Sequence, residues 1–152
     1  MPDYAARRRQ MVDSQIRPSD VTEYPLIEAF LDIPRELFVP AGKREVAYLG
    51  DSLPLDGDRA LLEPRVLAKM LDALDITPSD LVLDIGCATG YSTAVIARVA
   101  EAVIGLEEDE ALAAEAESLM AETGADNAAI VTGPLTGGAP RHAPFDAIII
   151  EG

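Results

Sequence analysis

The sequence has a single cysteine, Cys87, and a single histidine, His142. One cysteine cannot form an intrachain disulfide, and nothing indicates an oxidising compartment, so we predict a cytoplasmic protein. One histidine cannot form a zinc site without other ligands; we therefore predict no metal site and expect the Pro/Gly-rich loop around it to lie on the surface. No apolar run is long enough to span a membrane, and residues 10–13 interrupt the apolar stretch that a secretion signal would need after the basic run 7–9.

Basic residues are also scarce, with 12 Lys and Arg against 27 Asp and Glu and a net charge of −15. A field of that sign repels phosphate backbones and anionic membrane surfaces, so we expect neither nucleic acid nor a membrane as a partner. The length of 152 residues, with 49% hydrophobic and 26% charged residues, is typical of one soluble domain with a substantial core.

A glycine-containing loop is the most informative feature that is present. It runs from Asp84 to Gly90, after the apolar run 81–83 and before a helix-patterned segment, 91–100. Small residues let the backbone approach a ligand closely, and a helix N-terminus offers N–H groups and the positive end of a dipole. A second apolar run ends in Glu107, where acidic side chains of such folds hydrogen-bond ribose hydroxyls. The pattern predicts a nucleotide-type cofactor.

The spacing within the loop indicates which cofactor this is. Dinucleotide sites have G-x-G-x-x-G and phosphate loops have G-x-x-x-x-G-K-[ST], whereas Gly86 and Gly90 with Ala88 between them fit neither pattern. They fit the acidic-x-G-x-G-x-G pattern of S-adenosylmethionine-dependent methyltransferases, with Ala88 in place of the middle glycine. The alternative is an ordinary strand-to-helix turn whose glycines serve geometry alone. We interpret Cys87 as a small packing residue; the alternative is a reactive thiol at a helix N-terminus.

The chain begins with helical patterns and changes to alternating strands and helices after Pro78. The alternation predicts an α/β fold with a mainly parallel sheet and helices on both faces, in which the first two strands are adjacent. We expect residues 1–62 to form a helical and connecting region packed on a core of residues 63–152, as one structural domain. The predicted helices are 4–16, 22–31 with Asp20 or Thr22 as the cap, a helix that opens at Pro64, 91–100 and 109–122; connecting segments are 34–40 and 49–58; strands are 81–85, 102–107, 128–132 and 145–150.

The last predicted strand is continuously apolar over residues 147–150, which is typical of a parallel strand paired on both edges. The sequence ends at Gly152, soon after it. An uncovered apolar edge strand is an aggregation hazard. We therefore expect either a sheet that is incomplete at its C-terminus or a partner chain, giving an oligomer through the open edge.

Several longer segments together resemble one family. They are Met11–Gln15, Val21–Thr22, Ile33–Pro40, Ala47–Tyr48, Pro64 with Ala68 and Met70, Leu83–Gly86 with Gly90–Tyr91, and Ala143–Ile148. With these segments the chain resembles protein-L-isoaspartate O-methyltransferases, in particular bacterial ones. The resemblance implies a Rossmann-like S-adenosylmethionine-dependent methyltransferase with extra N-terminal helices. Such an enzyme esterifies the free α-carboxylate of an isoaspartyl residue, so the implied partner is a damaged protein or peptide.

The resemblance also implies which residues bind the cofactor. Asp84 would orient the loop and reach the methionine part of the cofactor, and Glu107 would hold the ribose. No catalytic base can be named. The full implied set is Asp84, Gly86, Cys87, Ala88, Gly90, Glu107 and Leu135.

Two local departures from the family pattern keep alternatives open. A Thr-x-Ser element, whose serine meets the substrate carboxylate, is replaced by Ala60 and Leu62. Arg59 is a candidate replacement cation, as is Arg65, although we expect both to be solvated. Where the family has Gly-Asp-Gly, the chain has residues 133–135 as Gly-Pro-Leu, which leaves adenine to the Leu135 backbone and predicts weaker cofactor binding. The alternatives are methyl transfer to another acceptor, and a non-catalytic remnant that binds cofactor weakly or pairs with a partner chain.

Overall fold

The N-terminal part of the computed structural model, which describes residues 2–55 and 57–152, is helical. Helix α1 covers Tyr4–Met11 and continues through a π turn at Val12–Ile16 and a 3-10 turn at Arg17–Ser19. Helix α2 covers Tyr24–Asp32. Both predicted helices are therefore present. The predicted cap of α2 is wrong, because Glu23 occupies that position and Asp20, at φ 65°, ends the preceding 3-10 turn instead.

A short hairpin separates this part from the next helix. Strand β1 (Leu53–Pro54) pairs antiparallel with strand β2 (Ala60–Leu61), after 3-10 turns at Arg35–Phe38 and Ala41–Val46. The prediction of connecting segments alone at 49–58 missed β1, because two residues are too few to show an alternating pattern. Helix α3 (Pro64–Leu74) opens at Pro64 as predicted and buries Leu67, Ala68 and Leu71.

Four parallel strands then form the main sheet of the described residues, in the order β5-β4-β3-β6. They are β3 (Leu81–Ile85), β4 (Ala102–Glu107), β5 (Ala128–Thr132) and β6 (Ala147–Ile150). Helix α4 (Tyr91–Ala97) connects β3 to β4, and helix α5 (Glu110–Glu122) connects β4 to β5. The first two predicted strands are adjacent, as expected. Within residues 2–55 and 57–152, no helix combines the length and apolarity needed to cross a bilayer.

The two faces of the sheet are covered differently. On one face Val82, Val103 and Ile149 join a hydrophobic cluster with α3, α4 and α5. On the other face Leu83 and Ile104 pack against the segment 133–146, which contains a 3-10 turn at Leu135–Gly137. The α/β prediction is confirmed, but in the described chain the second face carries this irregular segment where the prediction had helices.

Strand β6 lies at one edge of the described sheet and leaves apolar side chains uncovered. Ile148 is 49% exposed and Ile150 is 64% exposed. An oligomer formed through this edge stays a prediction.

Contacts of the buried Arg35 and of Thr89 connect the N-terminal region to the glycine loop and the start of α4. Arg35 is 0% exposed, donates hydrogen bonds to the carbonyls of Ala47 (2.6 Å) and Leu62 (2.9 Å), and stacks 4.8 Å from the Tyr91 ring centroid. Thr89 in the loop donates its hydroxyl hydrogen to the carbonyl of Phe38 at 2.8 Å. One hydrophobic cluster includes residues of both regions, so the position of the loop depends on the N-terminal part.

Candidate functional site

The glycine loop turns tightly against the end of the neighbouring strand. The N–H groups of Gly86 and Cys87 both donate to the carbonyl of Leu106, at 2.8 and 3.1 Å, and the Gly90 N–H donates to the Cys87 carbonyl at 2.8 Å. These three N–H groups of the loop are therefore used within the protein; the helix N–H groups that the sequence suggested as ligand donors belong to α4, which begins at Tyr91. The loop offers a surface of small residues for a ligand rather than a ring of free N–H groups.

The two glycines of the loop are required for different reasons. Both have positive φ, +79° at Gly86 and +92° at Gly90, where side chains are strained. A Cβ on Gly86 would overlap the backbone of Gly152. A Cβ on Gly90 would lie 2.8 Å from Met120 Cε and 3.2 Å from Ala116 Cβ, both on α5. Gly86 thus admits the chain that follows β6, and Gly90 allows α4 to pack on α5.

The residues between these glycines are buried. Cys87 is 2% exposed; burial, followed by the charges of Asp84 and Glu107, raises the pKa of its thiol. The burial of Cys87 agrees with its interpretation as a packing residue, and the raised pKa of its thiol disfavours the thiolate that a reactive cysteine needs. Ala88 is 3% exposed with φ +52°, and its N–H donates to Glu107 Oε1 at 2.8 Å.

Glu107 lies at the end of β4 and is 0% exposed. Its Oε2 accepts hydrogen bonds from Arg59 Nη1 (2.5 Å) and from the Asp109 N–H (2.9 Å), in addition to the Ala88 N–H on Oε1. Burial raises the pKa of Glu107, but the hydrogen bonds from Arg59, Asp109 and Ala88 outweigh it and the pKa lies below its usual 4.5. An ionised carboxylate remains, with an acceptor position free on Oε1.

The position of Arg59 corrects the sequence prediction. Arg59 was expected to be solvated, yet its side chain is only 17% exposed and is paired with Glu107. The turn between β1 and β2 carries it there, held by the hydrogen bond from the Leu55 N–H to the Arg59 carbonyl at 2.8 Å. Arg65 is exposed, as predicted. The β1–β2 hairpin, which was not predicted from the sequence, therefore positions Arg59 as the cation of the site.

Asp84 lies at the end of β3 and is 0% exposed. Its Oδ2 accepts hydrogen bonds from Ser92 Oγ (2.6 Å) and Thr93 Oγ1 (2.8 Å), both on the first turn of α4. Its Oδ1 is buried and has no hydrogen-bond donor within the described residues. This carboxylate is consequently anchored on one oxygen and available to a ligand on the other.

Sequence reasoning missed one acidic residue of the site. Glu151 directly follows β6, and its N–H donates to the Ile85 carbonyl at 2.9 Å. Its Oε2 is 2.5 Å from Ser92 Oγ. The signal was available, because the carboxyl ends of adjacent parallel strands lie at one edge of the sheet. Asp84, Glu107 and Glu151 follow or end three neighbouring strands, β3, β4 and β6.

The two departures from the pattern of the family that the chain resembles pack against two different hydrophobic clusters. Leu135 begins the 3-10 turn after β5 and packs, partly buried, against the second face of the sheet. Leu62 packs, partly buried, against the main hydrophobic cluster, and its carbonyl accepts from Arg35. An aliphatic side chain therefore occupies the position where a hydroxyl was expected. His142 is exposed, as predicted.

Comparison with known proteins gives one consistent family. A sequence profile described as protein-L-isoaspartate(D-aspartate) O-methyltransferase matches residues 6–152. The chain is 38% identical over 149 residues to a protein-L-isoaspartate O-methyltransferase of Roseiflexus castenholzii, covering 98% of this chain and 68% of the relative. It is 37% identical over 144 residues to protein-L-isoaspartate O-methyltransferase 2 of Pelobacter propionicus, covering 95% and 64%.

Solved structures agree with the sequence relatives. A protein-L-isoaspartate O-methyltransferase superimposes with a TM-score of 0.82 at 26% identity, covering 94% of this chain and 47% of the other. A Plasmodium falciparum structure in complex with S-adenosyl-L-homocysteine superimposes with a TM-score of 0.74 at 16% identity, covering 99% and 73%, and supports the fold alone. The chain thus spans only part of the length of each of these proteins.

Proposed function

Because the chain belongs to the protein-L-isoaspartate(D-aspartate) O-methyltransferase family, we propose that it is an S-adenosylmethionine-dependent carboxyl methyltransferase acting on isoaspartyl residues of proteins or peptides. The observation that carries the proposal is the pair of buried carboxyl groups, Asp84 and Glu107, on either side of the glycine loop at the ends of adjacent strands. We place this activity in the cytoplasm, which is consistent with a lone, unpaired and buried cysteine.

The residues present fit this cofactor. Glu107 has an acceptor position free on Oε1 for a ribose hydroxyl, while its Oε2 keeps the hydrogen bond from Arg59. Asp84 Oδ1 is a buried acceptor without a donor in the described chain. Apart from Ile85, the loop between them has no side chain larger than threonine, which suits a close approach of ligand to backbone. We assign Gly86, Ala88 and the Leu135 backbone to the same surface as part of the proposal.

The bound cofactor would supply an activated methyl group on a sulfonium. The acceptor carboxylate is already a nucleophile, so the protein has to orient it and exclude water rather than remove a proton. Asp84 and Glu107 would fix the two ends of the site. Arg59, with guanidinium hydrogens left over from its bond to Glu107, would be the cation nearest to an incoming carboxylate, in place of the missing hydroxyl at Leu62.

Two measurements test the proposal. Isothermal titration with S-adenosylmethionine should detect binding, and incubation of the chain with methyl-labelled cofactor and an isoaspartyl peptide should yield a base-labile methyl ester. The same peptide with a normal aspartyl linkage is the control and should remain unlabelled. Binding without ester formation at high enzyme concentration would refute repair activity, and absence of binding would refute the methyltransferase assignment.

A second candidate keeps methyl transfer but changes the acceptor. It is favoured by Leu62, because an apolar side chain cannot donate a hydrogen bond to the α-carboxylate of an isoaspartyl residue. A panel of small carboxylic acids and of other protein carboxylates, assayed with the same labelled cofactor, separates the candidates. The variant Leu62→Ser should increase labelling of the isoaspartyl peptide if that peptide is the acceptor and should not do so otherwise.

A further inference from the structure

A hydrogen-bond count at the end of β3 indicates that one of two neighbouring carboxyl groups carries a proton. Ser92 Oγ lies 2.6 Å from Asp84 Oδ2 and 2.5 Å from Glu151 Oε2. A serine hydroxyl has a single hydrogen and can donate it to only one of these oxygens. Both separations are hydrogen-bond distances between two oxygens, so each contact needs a hydrogen of its own. The second hydrogen must therefore belong to one of the carboxyl groups.

Glu151 is the group that carries it. Burial, and next the negative charge and hydrogen bonding of Asp84, raise the pKa of Glu151 well above its usual 4.5. Asp84 Oδ2 already accepts a further hydrogen bond from Thr93 Oγ1, at 2.8 Å, so this oxygen acts as an acceptor. The chain of donors thus runs from the Glu151 carboxyl to Ser92 and from Ser92 to Asp84.

The other charged groups around Glu151 do not neutralise the pair. Arg59 lowers the pKa of Glu151, but less than burial and Asp84 raise it, and its guanidinium is paired with Glu107. The buried thiol of Cys87 is held neutral by its raised pKa. The basic residues of α3, the helix that packs on β6, are exposed; they are Arg65 and Lys69. No other group therefore balances the second negative charge that Asp84 and Glu151 would carry together, and the proton on Glu151 removes it.

A second observation points to a ligand. Asp84 Oδ1 is buried without a donor in the described residues, although a buried carboxylate oxygen normally has one. A ligand that suits the pair has to bring both a positive charge and hydrogens. The sulfonium of S-adenosylmethionine has the charge but no hydrogen to donate, whereas its α-ammonium group has both, as a lysine ammonium does.

We propose that Glu151 is a cofactor-binding residue that exchanges its carboxyl proton for the α-ammonium group of S-adenosylmethionine. The inference rests on the proposed function. The O–H bond of Glu151 breaks, its proton passes to the solvent, and the ammonium group keeps its own hydrogens and donates them to Asp84 and Glu151. The positive charge in the pocket is conserved, and Asp84 Oδ1 gains the donor it lacks.

Calorimetry of the chain tests the exchange. Cofactor is titrated in buffers of different ionisation enthalpy at several pH values between about 5.5 and 7.5, so that the heat reports protons released. For the wild type we expect the release to approach roughly one proton per bound cofactor at the lower pH values. Glu151→Gln should release no proton. Glu115→Gln, a matched change at an exposed position of α5, should release as many protons as the wild type. S-adenosylhomocysteine, which keeps the ammonium group but lacks the sulfonium charge, should release as much.

The outcomes separate this inference from the proposed function. Binding without proton release overturns the role of Glu151 and leaves the methyltransferase assignment intact, whereas absence of binding overturns both. Release with S-adenosylmethionine alone overturns the assignment to the ammonium group. Infrared spectroscopy of the cofactor-free protein gives an independent measure, because a protonated Glu151 has a carboxylic-acid band that Glu151→Gln lacks and Glu115→Gln retains. Absence of that band from the wild type at the lower pH values overturns the inference even if Glu151→Gln fails to bind.

Discussion

Two carboxyl groups at the site, the buried Glu107 and the half-buried Glu151, have pKa values that move in opposite directions. The pKa of Glu107 falls because the hydrogen bonds from Arg59 and two backbone N–H groups outweigh the effect of burial. The pKa of Glu151 rises because of burial and the neighbouring charge of Asp84. The same edge of the sheet therefore stabilises the charged form of Glu107 and the neutral form of Glu151, according to the groups that each contacts.

Replacement of the site cation tests the first of these effects. A lowered pKa stabilises the folded protein above the unfolded value near 4.5, and that contribution is lost as the pH falls below it. We expect Arg59→Ala to lower the free energy of unfolding by about 1–3 kcal/mol at neutral pH, since Glu107 keeps its two backbone donors. Urea denaturation at a series of pH values measures this loss, which should become smaller as the pH falls below 4.5. Arg44→Ala, at an exposed position, is the control; an equal loss there would contradict the prediction.

The second effect has the opposite sign. Glu151 keeps its proton in the folded chain at pH values where the unfolded chain has released it, so its contribution is present below 4.5 and declines as the pH rises through the folded pKa. We expect the stability of the wild type relative to Glu151→Gln to fall steadily as the pH is raised above 4.5. Denaturation curves at a series of pH values measure this difference. A constant difference across the series, as expected for Glu115→Gln, would show that Glu151 titrates normally.

Gly90 belongs to the glycine pattern of the cofactor loop, and the packing of α4 against α5 also requires it to be a glycine. Gly90 combines a φ of +92° with close contact to α5, whereas Gly124, at φ +71°, has no atom within 4 Å of the position a Cβ would take. We expect Gly124→Ala to cost about 1–2 kcal/mol through backbone strain alone. Gly90→Ala should cost roughly 1–3 kcal/mol more through overpacking against Met120 and Ala116. Thermal or chemical denaturation compares the two, and equal losses would exclude the packing contribution.

The N-terminal helices and the sheet form a continuous structure around the buried Arg35. Its removal leaves the carbonyls of Ala47 and Leu62 without their donor and opens a cavity beside Tyr91. We expect Arg35→Ala to lower the free energy of unfolding by about 3 kcal/mol or more. Arg65→Ala, at an exposed position of α3, should stay within about 0.5 kcal/mol of the wild type. Circular dichroism in increasing denaturant measures both; a small loss for Arg35→Ala would mean that the two regions are not coupled.

Much of the whole-molecule architecture could be predicted because local patterns encode it. The strands at 81–85, 102–107 and 128–132 have the predicted bounds and the helix begins at Pro64 as predicted, since apolar runs and proline act locally. Helix α4 ends at Ala97 rather than at the predicted residue 100, where the chain continues as turns. The hairpin of β1 and β2 could not be predicted, because its two-residue strands are defined by their pairing.

The sequence by itself determined the fold class, the glycine loop, and the positions of Asp84 and Glu107 at strand ends. These follow from the periodicity of side chains and from turn chemistry, both of which act over a few residues. Only the tertiary structure decided that Arg59 pairs with Glu107 and that Glu151 joins Asp84 through Ser92. The Arg59–Glu107 contact joins residues that are 48 positions apart in sequence, and the Ser92–Glu151 contact joins residues that are 59 positions apart. The charges of these side chains depend on burial, which exists only once the chain is folded.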